Sequence, residues 1–454
     1  MGIQNFPSAL QPIIQQGFQE REFEEALRSR LGYRAIADRE TFAVGIGETL
    51  TKTRAGLKPT VTTPLAANAN TNLDNGLSST TFAVEQYTIT LNMYADTIDL
   101  NMVTNRVGIK NQFMQNAKVN GEQAARSLDE LARNALFAAY FQGNTRVRTT
   151  LGSTGPTISV DDVRGFQYIF GTTTPTGIAT SAGVSPTMLA VSGSNTLACT
   201  VNGDAYTLTG VTVDGSNVST TPNGISGTLT FSSNVTVADG TAGNTVLAGN
   251  AAQIVRPSGR GNTSLIQATD TLTMSNVLDG VASLRLNGVP GVGGDMYNCY
   301  LDPKSARQLF ADPDFKQLFQ GVGLIAEFAR GTLESPFLGV RMLPTTEAFV
   351  QAHPSISGLN VRRPIICGQG ALVEGDFAGM AAADVAPKDS IISMVDDVVM
   401  VTREPLDRLQ QIIAQSWYWI GGFTAPSDST TKPTTLPTAT NATYKRAVMI
   451  EHAG

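Results

Sequence analysis

The chain is poor in charge. Only 15% of its 454 residues are Asp, Glu, Lys or Arg, and they balance to a net −6. That argues against a protein whose main task is gripping nucleic acid, and it favours no particular partner. Cysteine is scarce: Cys199, Cys299 and Cys367 are odd in number and far apart. They make neither a disulfide framework nor a zinc cluster, and a reducing compartment fits. The two histidines, His353 and His452, have no cysteine or carboxylate at ligand spacing, so no metal is expected. There is no Gly-x-Ser-x-Gly elbow and no Walker loop. The glycine-rich run Gly288–Gly294 lacks a following Lys-Ser/Thr and reads as a turn. With no nucleophile, base and acid set, no catalytic residues and no cofactor are expected. Asp396-Asp397 reads as a surface turn or edge. Arg362-Arg363 and Lys445-Arg446 read as isolated pairs without aromatics between them, which speaks against sequence readout of nucleic acid. No apolar run approaches the roughly 18 residues a membrane span needs. The first residues lack a basic start followed by an apolar run, so no signal peptide is expected. Phe6 stands where a myristoylation signal after Gly2 wants Ser or Thr.

What the chain does have is one very long helical pattern, Asn111 to Gln142. Ala117, Gly121, Ala124, Leu128, Leu131 and Ala135 recur at intervals of three and four and line one stripe. Lys118, Glu122, Arg126, Asp129, Glu130 and Arg133 fall opposite, with Glu122–Arg126 and Asp129–Arg133 as acid-first pairs. Gly143-Asn144 supplies the stop. Such a helix is about 45–50 Å long. A stripe of alanine and glycine buries little area but lets a flat neighbour come close, so the helix reads as a strut lying on a sheet. Phe137, Tyr140 and Phe141 point several ways, so that end should enter a core. The pattern alone fits an ordinary enzyme domain equally well.

Residues 1–40 read as an arm. From Phe18 to Leu31 a mixed-charge helix carries only a narrow apolar stripe, Phe23, Ala26, Leu27 and Leu31. It cannot bury much in its own domain. It is either a solvated end or, the favoured reading, an arm lying on another subunit. Residues 41–95 read as a long two-stranded excursion. Thr41–Thr53 forms one side, and Lys58–Thr81 a Pro-, Thr- and Asn-rich tip. The return strand alternates at Tyr87, Ile89, Leu91 and Met93. Its phase then flips to Ile98, Leu100 and Met102, which predicts a break or bulge near Tyr94–Thr97. A hairpin this poor in core needs something to lie on. Residues 96–150 take in the following strand and the long helix.

From 151 to 259 the composition changes. Between Gly165 and Val255 the only charged residues are Asp204, Asp214 and Asp239. Asn202-Gly203 between Leu197–Val201 and Ala205–Leu208 signals a hairpin, and Val211–Val213, Thr228–Phe231 and Val235–Val237 read as further short strands. This predicts a small inserted all-β sandwich or barrel. Asn217 and Asn234 match glycosylation acceptors, as chance allows in so Asn- and Thr-rich a stretch. Residues 260–400 alternate helix and strand: a helix Ser275–Leu286 stopped by Asn287-Gly288, a strand Met296–Leu301, and helices opened by Asp302-Pro303 and Asp312-Pro313. Val340–Leu343, Ile365–Gly368 and Ile391–Thr402 read as strands. In 401–454 the tryptophan-bearing strand Ile412–Ile420 and a last strand, Tyr444–Glu451, return to the body. The class is α+β.

This order of elements resembles the Hong Kong 97-type capsid fold of tailed phages: N-terminal arm, extended E-loop, spine helix, P-domain and A-domain, here with the inserted β domain. Three strings are similar to the N4-type coat-protein family: Gly121–Leu136 to its spine helix, Ser335–Phe349 to its strand and turn, and Phe82–Leu100 to its return strand. With the element pattern, the resemblance covers roughly three quarters of the chain. It implies a major capsid protein whose hexamers and pentamers close into an icosahedral shell around double-stranded DNA held non-specifically. It also implies a virion location after assembly in the host cytoplasm, with scaffolding, portal and decoration proteins as candidate partners. The expected subunit contacts are Phe23, Leu27, Arg28, Lys52, Arg54 and Lys58. Some relatives cross-link a loop lysine to the next subunit. Lys52 and Lys58 lie in the corresponding loop, and nothing but position suggests the same here. The other reading is a β-rich surface or secreted protein with 151–259 as its binding module.

Overall fold

The computed structural model describes residues 32–42, 49–55, 84–101, 112–141, 143–171, 187–214, 226–249, 251, 254–260, 266–322, 338–348, 350–353, 356–377, 392–395, 398–403, 412–426, 428–429, 442–443 and 446–454. The helix Phe18–Leu31, the tip Lys58–Thr81 and Asp396-Asp397 lie outside them. Among the described residues the α-helices are α1 (Gln112–Tyr140), α2 (Met274–Leu286), α3 (Pro303–Ala311) and α4 (Pro313–Val322). The chain divides into two compact units: Met1–Leu50, Thr88–Arg133 and Leu372–Thr424 form one, and Thr51–Tyr87, Asn134–Ala371 and Ala425–Gly454 the other.

The first unit is a helix on a sheet. The strand Ile412–Thr424 is its spine: Asn92–Asn101 pairs along one edge, and Val398–Arg403 and Leu372–Phe377 share the other. Ala37–Phe42 adds in parallel beside Leu372–Phe377. Tryptophans at 417 and 419 alternate inward with Gln415, and Ala124, Ala125 and Leu128 of α1 pack on them with Val398 and Met400. Small residues on α1 let the helix sit close to these large rings, which explains the alanine content of the stripe.

Several sequence expectations change here. Residues 33–40, assigned to the arm, form a 3₁₀ turn and the start of a sheet strand, because Tyr33 and Ile36 are buried. The excursion's first side is therefore split between Ala37–Phe42 and Thr49–Ala55, and only the latter pairs with Val84–Thr90 as a two-stranded ribbon. The break falls at Leu91, not at Tyr94–Thr97, and Asn92–Asn101 keeps an unbroken register against Gly421–Ile412. Ile391–Thr402 is not one strand but two, Ile392–Val395 and Val398–Arg403, paired antiparallel with Val395 opposite Val398. Asp129 and Arg133, read on the side of α1 opposite the stripe, are buried, and the Gly32 and Arg34 amides bond to Asp129.

The second unit has two cores. One is an α/β layer. Its five strands run Ile254–Val255, Ala447–Ile450, Ile365–Cys367, Tyr297–Leu301 and Val340–Pro344. Leu272, Val277, Val281 and Leu284 from α2 and its approach pack with Leu309 and Phe315 on the inward side chains Cys299, Met342, Ile366 and Val448. Local signals set its helices. Thr273 and Asn276 form a capping box, and Gly288 takes φ +68 after Asn287. Asp302 accepts from the Lys304 and Ser305 amides with Pro303 at the first helical position. Within the expected last strand, Tyr444–Glu451, the strand is Ala447–Ile450, and a further short strand beyond it lies in a different sheet. Ala447–Ile450 lies in this layer, and His452–Ala453 joins Asn360–Arg362 and Val350–Ala352.

The other core belongs to a β-barrel between Asn144 and Ala248. Its strands run Asn144–Arg146, Thr245–Ala248, Leu197–Val201, Asp204–Val213, Gly227–Val235 and Gly155–Val160, all antiparallel. The first and last then meet: Val147 bridges Val160, and the Arg148 amide donates to Ser159 at 2.8 Å. The sheet closes on itself, which removes its edges. Ile158, Cys199, Val201, Leu208, Leu229, Phe231 and Val246 fill the interior. The Asn202-Gly203 turn has φ +54 and +98, as a tight hairpin requires. Asp204–Val213 and Gly227–Val235 are longer than the short strands expected, since wrapping a barrel needs continuous pairing on both sides.

Candidate functional site

No group of three or more His, Cys, Asp or Glu side chains converges as a metal site among the described residues. Nor is any described helix long and apolar enough to cross a membrane. The built features are the seat of α1 and two buried ionic networks.

On α1, Ala117, Gly121, Ala124 and Leu128 are buried, and Leu131 and Ala135 are half-buried. Gln123 clamps the helix to the sheet: its Oε1 accepts from Trp417 Nε1 at 3.2 Å and its Nε2 donates to Asp96. On the other flank, Asp129 accepts from the Gly32 and Arg34 amides at 2.9 and 3.1 Å. Arg34 in turn donates from Nε to both Glu374 oxygens at 3.0 Å, and its guanidinium lies 5.8 Å from the Trp419 ring centre. Both ion-pair partners are buried. Helix, sheet and the 33–36 turn are thus locked within one unit.

Of the expected contact residues, Lys52 is half-buried on the ribbon and Arg54 lies in the same strand. Phe23, Leu27, Arg28 and Lys58 lie outside the described residues. The sheet face away from α1 carries Met93, 67% exposed, and Ala95, Thr97 and Asp99, also exposed. Thr97 Oγ1 meets Ser416 Oγ there at 2.8 Å.

Sequence reasoning missed the second network. Arg362 and Arg363, read as an isolated pair, are buried. Arg362 donates to Asp302, while Arg363 and Arg256 each donate from Nε to Glu451, at 2.8 and 2.7 Å. Arg363 also lies 4.8 Å from the Phe141 ring centre. His452 is wholly buried. The Ser305 hydroxyl touches its Nε2 at 2.7 Å and also bonds to Asp302. An arginine doublet inside an apolar run, Val361 to Cys367, was the available signal that these cations are internal.

Burial drives His452 down from 6.5 to about 4, against the Ala453 carbonyl and Asp302, which favour the charged form. The unfolded chain therefore takes up a proton that the folded one refuses between about pH 6.5 and pH 4. Stability is expected to fall across that window as pH drops, by on the order of 3 kcal/mol in all, and no further from this group below it. Urea titrations at several pH values check this: His452→Gln should flatten the slope between pH 6.5 and 4, and an unchanged slope would assign it to other groups. Asp270 adds a loss at lower pH. Burial pushes its carboxyl up, but bonds from the Gln267 amide, Arg260 and Ser258 outweigh that and hold it below the usual range.

No protein-family model matches the chain, and no curated protein matches it in sequence. Solved structures do match. Over 93% of its length the chain is similar to a chain from the capsid of Ralstonia phage GP4, covering 88% of that chain with TM-score 0.52 at 9% sequence identity. The chain has a phage capsid fold. Weaker likenesses extend over the capsid of cyanophage P-SCSP1u (TM-score 0.49, 10% identity, 94% of this chain and 89% of that one). The acidic stable capsid of Helicobacter pylori bacteriophage KHP30 is similar at TM-score 0.41 and 8% identity, with 94% and 92% covered. In this capsid fold, α1 is the long helix seated on the first unit's sheet, and the ribbon is the paired stretch Thr49–Ala55 with Val84–Thr90.

Proposed function

We propose that this protein is the major coat protein of a phage, a structural rather than catalytic component that assembles into hexamers and pentamers of an icosahedral shell around double-stranded DNA. One observation carries the reading: the likeness to the Ralstonia phage GP4 capsid chain spans 93% of this chain and 88% of that one. The physical chemistry agrees with it. A two-stranded ribbon is marginal in water by itself and fits a segment that finds its burial on another copy. In this reading Lys52 and Arg54 on the ribbon, with Phe23, Leu27, Arg28 and Lys58, meet neighbouring copies, and the chain is a coat protein of the N4 type. A closed shell needs head-to-tail contacts whose rotation closes.

The test is direct. Protein expressed alone and imaged by negative-stain microscopy should show shells or capsomer rings, and a monodisperse folded monomer at assembly concentrations would overturn the reading. Gly121→Phe and Ala124→Phe should each hold the sheet off α1 and abolish assembly. Normal shells from both would refute the packing role given to the helix stripe.

A further inference from the structure

Five Asn-Gly pairs occur in the sequence, beginning at Asn75, Asn120, Asn202, Asn223 and Asn287. Those at Asn120, Asn202 and Asn287 lie among the described residues, and the fold treats them differently. The dipeptide carries a chemical liability. The glycine amide nitrogen attacks the asparagine Cγ and closes a succinimide ring, helped by the absence of a Cβ on glycine. The N–Cγ bond forms, the Cγ–Nδ2 bond breaks, and the amide proton leaves with Nδ2 as ammonia. Water then opens the ring to aspartate or isoaspartate.

The reaction requires an uncommitted glycine amide and room for the side chain to swing over it. Asn120 offers neither: it is 1% exposed, and Gly121 lies inside α1, where its amide serves the helix. Asn287 ends α2, and the Gly288 amide donates to the Arg285 carbonyl at 3.0 Å. Asn202 and Gly203 are both exposed at the tip of their hairpin. Among the described residues no hydrogen bond engages the Gly203 amide. Open space surrounds it, since a Cβ placed on Gly203 would meet nothing within 4 Å.

The product would meet an acid. Asn202 Nδ2 donates to Asp239 Oδ1 at 3.3 Å, and the Tyr206 and Thr236 hydroxyls donate to Asp239 Oδ2, both at 2.7 Å. Burial pushes the Asp239 carboxyl up, but these three donors outweigh that and hold it below the usual range. Aspartate at 202 replaces one of the donors with a second carboxylate. Isoaspartate also adds a carbon to the backbone of a two-residue turn, between residues Val201 and Asp204 that pair across the ladder.

We propose that Asn202 is a self-modifying site: it deamidates through the Gly203 amide, ahead of Asn287 and Asn120, and the acid it becomes weakens the hold of this hairpin on Asp239. The reaction consumes water and needs no second protein. The proposal rests on the barrel alone and stands whether or not the chain assembles.

Peptide mapping by mass spectrometry tests it. Folded protein held in mildly alkaline buffer should convert Asn202 about tenfold faster than Asn287, the worth of the one hydrogen bond that Gly288 must give up. Asn120 should stay an amide. In concentrated urea the three rates should converge, because the fold no longer separates the sites. Conversion at Asn287 or Asn120 as fast as at Asn202 in the folded protein would overturn the assignment. So would an Asn202 that reacts in urea and stays intact in the fold. The consequence is read from Asn202→Asp, which supplies the acid directly. Its urea midpoint should fall below that of the unchanged protein, and in an Asp239→Asn background most of that difference should vanish. An unchanged midpoint, or a loss that persists in the Asp239→Asn background, would overturn the link to Asp239. Should Asn202→Asp fail to fold, recovery of folding in the double variant supports that link and its absence overturns it.

Discussion

Glu451→Ala is expected to lower folding stability by about 3–5 kcal/mol, the range for stripping one partner from a buried ion pair. The carboxylate is fully buried and takes one guanidinium on each oxygen, Arg256 at 2.7 Å and Arg363 at 2.8 Å. Alanine would take the shared carboxylate away from two buried cations. Arg363 keeps its face on Phe141, and a cation–π contact is worth about 0.5–2 kcal/mol, less than the expected loss. Glu451→Gln retains hydrogen-bond acceptance on one oxygen and should lose less. Urea denaturation monitored by tryptophan fluorescence and by far-UV circular dichroism measures both. A loss under about 1 kcal/mol for alanine would show that the arginines find other partners at little cost.

Glu374→Ala should cost a similar amount for the same reason, since Arg34 donates to both of its oxygens in a buried setting. The rescue should differ. Arg34 and Glu374 pair beside Trp419, so Arg34→Met with Glu374→Leu is expected to recover most of the loss. Well-packed apolar residues often equal or exceed a buried ion pair. At Glu451 no single compensating change neutralises two guanidiniums. A double variant at positions 34 and 374 that stays as unstable as Glu374→Ala would mean that the pair sets the conformation of the 33–36 turn rather than merely filling it.

These two networks were also the parts least legible in the sequence, and the reason is distance along the chain. Arg34 and Glu374 are 340 residues apart, and Ser305 and His452 are 147 apart. No local pattern links such positions, and a charged residue is by default read as solvated. Elements written locally came through: α2 by its cap at Thr273 and stop at Asn287-Gly288, α3 and α4 by Asp-Pro starts, and α1 by its three-and-four periodicity. The strand errors share a cause. Whether Val211–Val213 begins a new strand or continues Asp204–Val213 depends on the neighbouring strand Gly227–Val235. The partners of Asp129 likewise come from a turn almost a hundred residues earlier, at Gly32 and Arg34. His452 was set aside for want of a nearby ligand, although its partners sit on the helix whose Asp302 cap was foreseen.

The barrel hangs from the rest of the polypeptide by a single doorway. The incoming strand at Asn144 and the outgoing strand at Leu247 stand directly opposite one another in the same ladder, so their backbones are about 5 Å apart. Everything between them can be lengthened, exchanged or deleted while the two threads leading to it keep their positions. A lineage could therefore remodel the barrel without renegotiating how the layer beside it in the chain folds.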